Sequence, residues 1–170
     1  MKTLLSLFLF LSFANIALSQ YRRYELITDS YLSSVDTAIF LERTGCYGEC
    51  PVYRLCVQCD GMVLFEGLEH TKELGVHRGQ ITSRQFFALL DKLTSLEVFS
   101  FRDRYGRLDP DCKSSGLDAP SATVLVKLGD QSKRISHYFG CRGFSHESDL
   151  FKIEHAIDEA ANSTTWVGSN

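Results

Sequence analysis

Val52-Tyr-Arg-Leu-Cys-Val-Gln-Cys59, Asp60-Gly61, Met62-Val-Leu-Phe-Glu-Gly-Leu-Glu69: two β-prone runs flank a dipeptide suited to the positive φ angles of a type I′ turn. The stretch reads as an antiparallel hairpin. A strict two-residue turn creates one difficulty, because it sets Glu66 beside Leu55 on an otherwise apolar face. Upstream, Thr37 to Arg43 carries Ile39, Phe40 and Leu41 and reads as a further strand. Downstream, Phe86, Leu89, Leu90, Leu93 and Leu96 recur at helical spacing, predicting a helix over Thr82 to Leu96. Thr82 and Gln85 stand at the spacing of a capping box, with Ile81 placed to staple onto Phe86.

Residues 102–120 form a long polar loop with Gly106, Pro110, Gly116 and Pro120. A second hairpin follows about Gly129-Asp130, with Ser121 to Leu128 and Ser132 to Phe139 as its strands. Ala122, Val124, Val126 and Leu128 alternate as a half-buried strand requires. A last helix runs from Ser145 or Ser148 to Ala161, with Leu150, Ile153 and Ile157 on one side, and Glu147 and Asp149 at its positive end. The order strand, hairpin, helix, loop, hairpin, helix has no βαβ alternation. It predicts an α+β fold: an antiparallel sheet of two hairpins plus an N-terminal strand, with two helices packed on one face.

Between the first strand and the first hairpin lies Arg43-Thr-Gly-Cys46-Tyr-Gly-Glu-Cys50-Pro51-Val-Tyr53, a loop of two cysteines, two glycines and a proline. Its meaning depends on the compartment. Lys2, the apolar run Leu4 to Phe13 and the small-residue site Ala17-Leu18-Ser19 have the layout of a signal peptide over residues 1–19, cut after Ser19. The apolar run is short beside the roughly 20 residues that span a bilayer. Secretion or periplasmic export is therefore expected, with no membrane span in the mature chain. Residues 20–36 read as an extended N-terminal arm and residues 37–168 as a single domain. Cleavage removes one lysine and no acid, taking the net charge from −3 to −4. With its basic residues scattered, the chain does not offer the cationic face that nucleic acid requires.

An oxidising compartment makes disulfides the first reading of the six cysteines. Cys56 and Cys59, three apart on a strand, have Cα atoms roughly 10 Å apart, beyond the limit of about 7 Å for a bridge. Cys46 and Cys50 can meet across their turn. Cys112 and Cys141 flank the second hairpin, and joining them pins the long loop to the sheet. These two pairings are favoured, and Cys56 and Cys59 stay unassigned. Against disulfides stand a redox site at Cys56-Val-Gln-Cys59, which lacks the helix N-terminus that lowers a thiol pKa. A zinc site from Cys46, Cys50, Cys56 and Cys59 with His70 or His77 matches no standard ligand spacing.

Other residues suggest chemistry more weakly. His137 could serve a Cys141 nucleophile with Asp118 as orienter, or simply be a strand histidine. Arg43, Tyr47 and Tyr53 could form a recognition patch with Asp118 and His137; alternatively Tyr53 packs in the sheet and Arg43 pairs with Glu42 or Glu49. Asn162-Ser163-Thr164 is a sequon, so Asn162 is a candidate N-glycosylation acceptor in a eukaryotic secretory pathway. No hydrolase, zinc-protease or phosphate-loop motif occurs, and nothing in the sequence asks for a cofactor.

Taken together, Leu41-Glu42-Arg43-Thr-Gly-Cys46-Tyr-Gly-Glu-Cys50-Pro51-Val-Tyr53 resembles the signature of an uncharacterised family, domain of unknown function 6438. The Asp60-Gly61 turn, Gly79-Gln80-Ile81-Thr82, Asp118-Ala119-Pro120, His137-Tyr138-Phe139-Gly140-Cys141 and Trp166-Val167-Gly168 follow in the family's order. Cys56 and Cys59 lie outside its pattern. The resemblance implies a small exported protein and names no activity. The expected function is a disulfide-stabilised binding module for an unknown protein or small molecule; a thiol-dependent redox protein and an inhibitor of another secreted protein are the alternatives.

Overall fold

The computed structural model describes residues 27–168. The expected signal peptide, its cleavage site and the first part of the arm lie outside the described residues. Within them, α1 (Asp29–Ser34) precedes β1 (Thr37–Arg43), β2 (Val52–Gln58), β3 (Met62–Glu69), β4 (Gly75–Gln80) and α2 (Ser83–Ser95). A 3-10 turn at Val98–Ser100 leads to β5 (Arg104–Tyr105), β6 (Ser114–Ser115), β7 (Ser121–Leu128), β8 (Gln131–Tyr138) and β9 (Cys141–Arg142), and the chain ends in α3 (Glu147–Ala161) and α4 (Thr164–Val167). The sheet has the order β4-β3-β2-β1-β7-β8-β5. Every neighbouring pair is antiparallel except β5 and β8. The fold is α+β.

Alternation decides what each face buries. Ile39, Leu41, Leu55, Val57, Val63, Phe65, Val124, Val126 and Ile135 point to the face covered by α2 and α3, where Phe86, Leu93, Leu150, Ile153 and Ile157 meet them. The capping box forms: Thr82 Oγ1 accepts from Gln85 N at 3.2 Å, and Gln85 Oε1 accepts from Thr82 N at 2.8 Å. A smaller core of Ile27, Leu32, Ala38, Phe40, Cys56 and Leu64 lies on the opposite face.

The sheet is wider than two hairpins and a strand. β4 carries two glycines and no alternating apolar pattern, as an edge strand can, so its pairing with β3 left no periodic signal. The long loop contributes β5 at the other edge and β6, which pairs with β9. The arm also differs from an extended segment. Thr28 caps α1, and Ile27 and Leu32 are buried under the second face, so burial of these two side chains orders it.

The Glu66 difficulty resolves through the turn. Gly61 N donates to Gln58 O at 2.9 Å and Gly61 takes φ +88°, giving a three-residue loop instead of a two-residue one. Leu55 now opposes Phe65, and Glu66 opposes Arg54 on the second face. The one-residue shift keeps Glu66 out of the main core. A side chain at Gly61 is excluded twice, since a Cβ there would lie 2.0 Å from Ile81 O. The second hairpin keeps its two-residue turn, with Gly129 at φ +57° and Leu128 opposite Gln131.

Disulfides join Cys46 to Cys50 and Cys112 to Cys141. The second closes a sequence separation of 29 residues, for which chain entropy gives about 3–4 kcal/mol. Replacing both Cys112 and Cys141 with alanine is expected to lower unfolding stability by about that much. Urea denaturation checks it; an unchanged midpoint would show that β5, β6 and β9 hold the loop without the bridge.

Candidate functional site

The loop after β1 is fixed at both ends. Thr44 N donates to Ser121 O and Ser121 N to Thr44 Oγ1, both at 2.9 Å. The Cys46–Cys50 bridge then closes a tight turn in which Gly48 N donates to Cys46 O at 2.8 Å. Tyr47, at the apex, is 92% exposed, and its N–H reaches Asp118 O at 3.4 Å. Asp118 sits at φ +57° next to Leu117, which is 65% exposed. This second segment is clamped from beneath. Tyr138 Oη accepts from Ala119 N at 3.2 Å and donates to Gly116 O at 3.1 Å, while Gly116 N donates to Gly140 O at 2.8 Å. Tyr47, Leu117 and Asp118 thus share one tip on a cross-linked backbone.

The other members of the expected patch are elsewhere. Tyr53 and His137 occupy core-facing strand positions and are 3% and 0% exposed, so neither belongs to a surface. Arg43 does not pair with Glu42 or Glu49. Neighbours on a strand face opposite ways, and Glu42 instead meets Arg54 on the second face at 3.0 Å. Arg43 lies at the end of β1 and reaches α3: its Nη2 and Nε donate to Asp158 Oδ2 at 2.8 and 3.1 Å, and Nε also to Tyr53 Oη at 2.9 Å. Asp158 Oδ1 accepts from Tyr53 Oη and from Ser163 Oγ, each at 2.8 Å. One turn earlier on α3, Glu154 Oε1 bonds His137 Nδ1 at 2.8 Å, with Glu154 Oε2 3.8 Å from Arg43 Nη1.

Burial sets the electrostatics. It opposes the charge of Arg43, but Asp158, Tyr53 and Glu154 outweigh it, and the guanidinium is held more firmly protonated than usual. Burial, then the Asp158 charge, pushes the Tyr53 phenol well above the ordinary tyrosine range. The His137 ring lies among Phe139, Phe144 and Phe151 with centroids 4.9, 5.5 and 4.9 Å away, and its Nε2 has no hydrogen-bond partner among the described residues.

These placements leave His137 as the strand histidine and not as the partner of a Cys141 nucleophile. Cys141 is in a disulfide, His137 is held by Glu154, and Asp118 is on the tip. Cys46 and Cys50 are bridged and so are not zinc thiolates, and among the described residues no group of three or more His, Cys, Asp or Glu is placed to hold a metal. Of the two free cysteines, Cys56 is buried in the second core, where desolvation pushes its thiol to about 12, and Cys59 is exposed in the hairpin turn. Asn162 is exposed at the end of α3 at φ 52°, with Ser163 buried beside it.

Asp158, Glu154 and Ser163 carry no motif, but Glu154 and Asp158 had one signal. Four apart on a helix, they border the Leu150-Ile153-Ile157 stripe, and acids so placed need a cationic or donor partner on the facing sheet.

Two measurements follow. In a pulse of iodoacetamide near neutral pH, Cys59 is expected to alkylate and Cys56 to stay protected until the chain unfolds, as peptide mass spectrometry would read. Rapid native labelling of Cys56 would contradict its burial. The second concerns alkaline pH. Cys56 rises from its ordinary 9.0 to about 12, and Tyr53 also rises from 10.0. The unfolded chain therefore loses these protons first, so both contributions are whole at pH 7 and fade as pH climbs from about 9 through 12. The expected slope is about 1.4 kcal/mol per pH unit for each group ionised only in the unfolded chain. Denaturant titrations of Cys56→Ala and Tyr53→Phe should each show a shallower alkaline decline; slopes equal to the parent would refute the assignment.

A comparison with curated proteins finds no match. A family model, Domain of unknown function (DUF6438), matches residues 37–161 of the 170, from the start of β1 to the end of α3. The chain belongs to that family.

Proposed function

We propose that this protein is an exported binding module that engages its partner through the Tyr47, Leu117 and Asp118 tip and performs no reaction there. The observation that carries this reading is Tyr47, 92% exposed on a backbone closed by a disulfide and tied to Asp118. An aromatic side chain held out on an ordered loop has little backbone entropy left to lose on binding. Tyrosine is also among the residues that concentrate binding energy. Export rests on the layout of residues 1–19 and agrees with two disulfides. No described helix is long and apolar enough to cross a membrane.

The thiol-redox alternative has less support, because Cys56 is buried with a raised pKa and Cys59 is held apart from it in the turn. An inhibitor of another secreted protein would use the same tip and is one form of binding module.

A photo-crosslinking residue at position 47 or 117, in the oxidised protein mixed with the medium or periplasm of the producing cells, is expected to give a discrete adduct. The same residue at Leu74, an exposed apolar position on another loop, should not. Once the partner is identified, Tyr47→Ala should weaken binding about 30-fold, the roughly 2 kcal/mol of a hot-spot tyrosine. Adducts from position 74 alone, or unchanged affinity of Tyr47→Ala, would move the interface away from the tip.

A further inference from the structure

The loop between β5 and β6 leaves positive charge unanswered. Among the described residues, Arg78, Arg84, Arg104, Arg107 and Lys113 make no ion pair and no side-chain hydrogen bond. Three of these, Arg104, Arg107 and Lys113, are exposed on this one segment. The nearby acids are already engaged: Asp103 with Lys133 at 2.6 Å, Asp109 with Arg102 at 2.8 and 3.0 Å, and Asp111 with the same guanidinium. Arg102, Arg104, Arg107, Lys113 and Lys133 thus stand against three carboxylates, an excess of two positive charges on a chain whose net charge is −3.

The backbone here is fixed. Asp109 N donates to Gly106 O at 3.0 Å and Cys112 N to Asp109 O at 3.1 Å, and Cys112 is bridged to Cys141. The Arg104 guanidinium lies across Gly106, where a Cβ would stand 2.7 Å from its Nε. Leu108, between Arg107 and the anchored Asp109, is 92% exposed. Beside it lies a cavity of about 500 Å³ lined by Arg102, Tyr105, Asp111, Lys113, Phe144 and His146. An aliphatic apex and unpaired cations on a held backbone combine apolar contact, charge and little entropy left to lose. None of these residues belongs to the Tyr47 tip, so the inference stands or falls independently of the reading above.

We propose that this face docks an acidic segment of a partner protein, with an apolar side chain between its carboxylates. The carboxylates accept from Arg104, Arg107 and Lys113, and the apolar side chain meets Leu108. The three cations hold no partner in the free protein, so docking breaks no ion pair. The hollow takes a side chain standing out from an extended segment, which the flat headgroup plane of a bilayer does not supply. An excess of two charges is also too small for nucleic acid, whose binding rests on many neutralised phosphates.

The test uses short blocked peptides that alternate leucine with glutamate, glutamine or lysine. Each is titrated into the oxidised protein, with amide chemical shifts as readout. The glutamate peptide is expected to bind saturably and more weakly as salt rises, with shifts in residues 104–113 and 143–146 and none at Tyr47. The glutamine and lysine peptides should bind about tenfold more weakly or worse. Replacing Arg104, Arg107 and Lys113 together with glutamine should weaken the glutamate peptide about tenfold, the ordinary worth of three exposed ion pairs. Their charged heads hold no partner, so this variant is expected to fold as the parent does. Arg78→Gln with Arg84→Gln removes two unpaired charges elsewhere, the first on β4 at the opposite edge of the sheet, and should leave the affinity nearly unchanged. No saturable binding of the glutamate peptide, equal binding of the three peptides, or an equal loss from the two sets of substitutions would overturn the proposal. So would tighter binding of phosphatidylglycerol vesicles through the same residues, which would make this face a membrane contact.

Discussion

Asp158 is the joint on which the architecture turns. Its carboxylate accepts from Arg43 at the end of β1, from Tyr53 at the start of β2 and from Ser163 beyond α3. β1 is the central strand, and Arg43 is its last residue before the disulfide loop. A single carboxylate therefore sets where the sheet ends, where the last helix lies and where the loop departs. A partly buried ion pair is a poor source of net stability, because desolvation offsets much of the attraction. What it provides is a defined geometry. A hydrophobic contact tolerates sliding, whereas a carboxylate that takes two guanidinium N–H groups on one oxygen and two hydroxyl donors on the other fits one arrangement.

Beyond Asp158, the C-terminal segment closes the far edge of the sheet. Trp166 stacks on Phe65 at 5.2 Å, while Glu73 N and Lys72 N donate to Trp166 O and Val167 O at 2.9 and 3.1 Å. The indole is seated over Gly79, where a Cβ would lie 2.9 Å from the ring. Residues far apart in the chain converge here. Arg43 and Tyr53 meet at Asp158, His137 meets Glu154 on the same helix, and Gly79 makes room for Trp166.

The fold was legible where a local rule and the tertiary need agreed. The α2 capping box and apolar stripe, the alternation of β7 and the Gly129-Asp130 turn each follow from residues close in sequence. The first hairpin shows the limit. Asp-Gly permits two loop lengths, and the choice fell to burial: only the three-residue loop sends Glu66 to the Arg54 face. β4 stayed hidden because an edge strand need not alternate. The candidate site was legible in part. The favoured cysteine pairs follow from chain reach, and Tyr47 from its place in a short loop. Assigning Tyr53 and His137 to the same patch failed because a strand's facing depends on register, which polarity alone does not give.

The buried network also explains why no motif announced a function. Catalytic motifs are legible when one short segment holds the reacting groups in place. Here Arg43, Tyr53, Glu154 and Asp158 come from three elements, and over a hundred residues separate Arg43 from its partner Asp158. Each looks ordinary in its own segment, and only packing makes them a unit. The tip is built in the same way: Tyr47 belongs to the first loop and Asp118 to another, and they meet because Thr44 and Ser121 bond each other at the base. The surfaces of this chain are assembled by the fold, and the joint at Asp158 is what holds their supporting elements together.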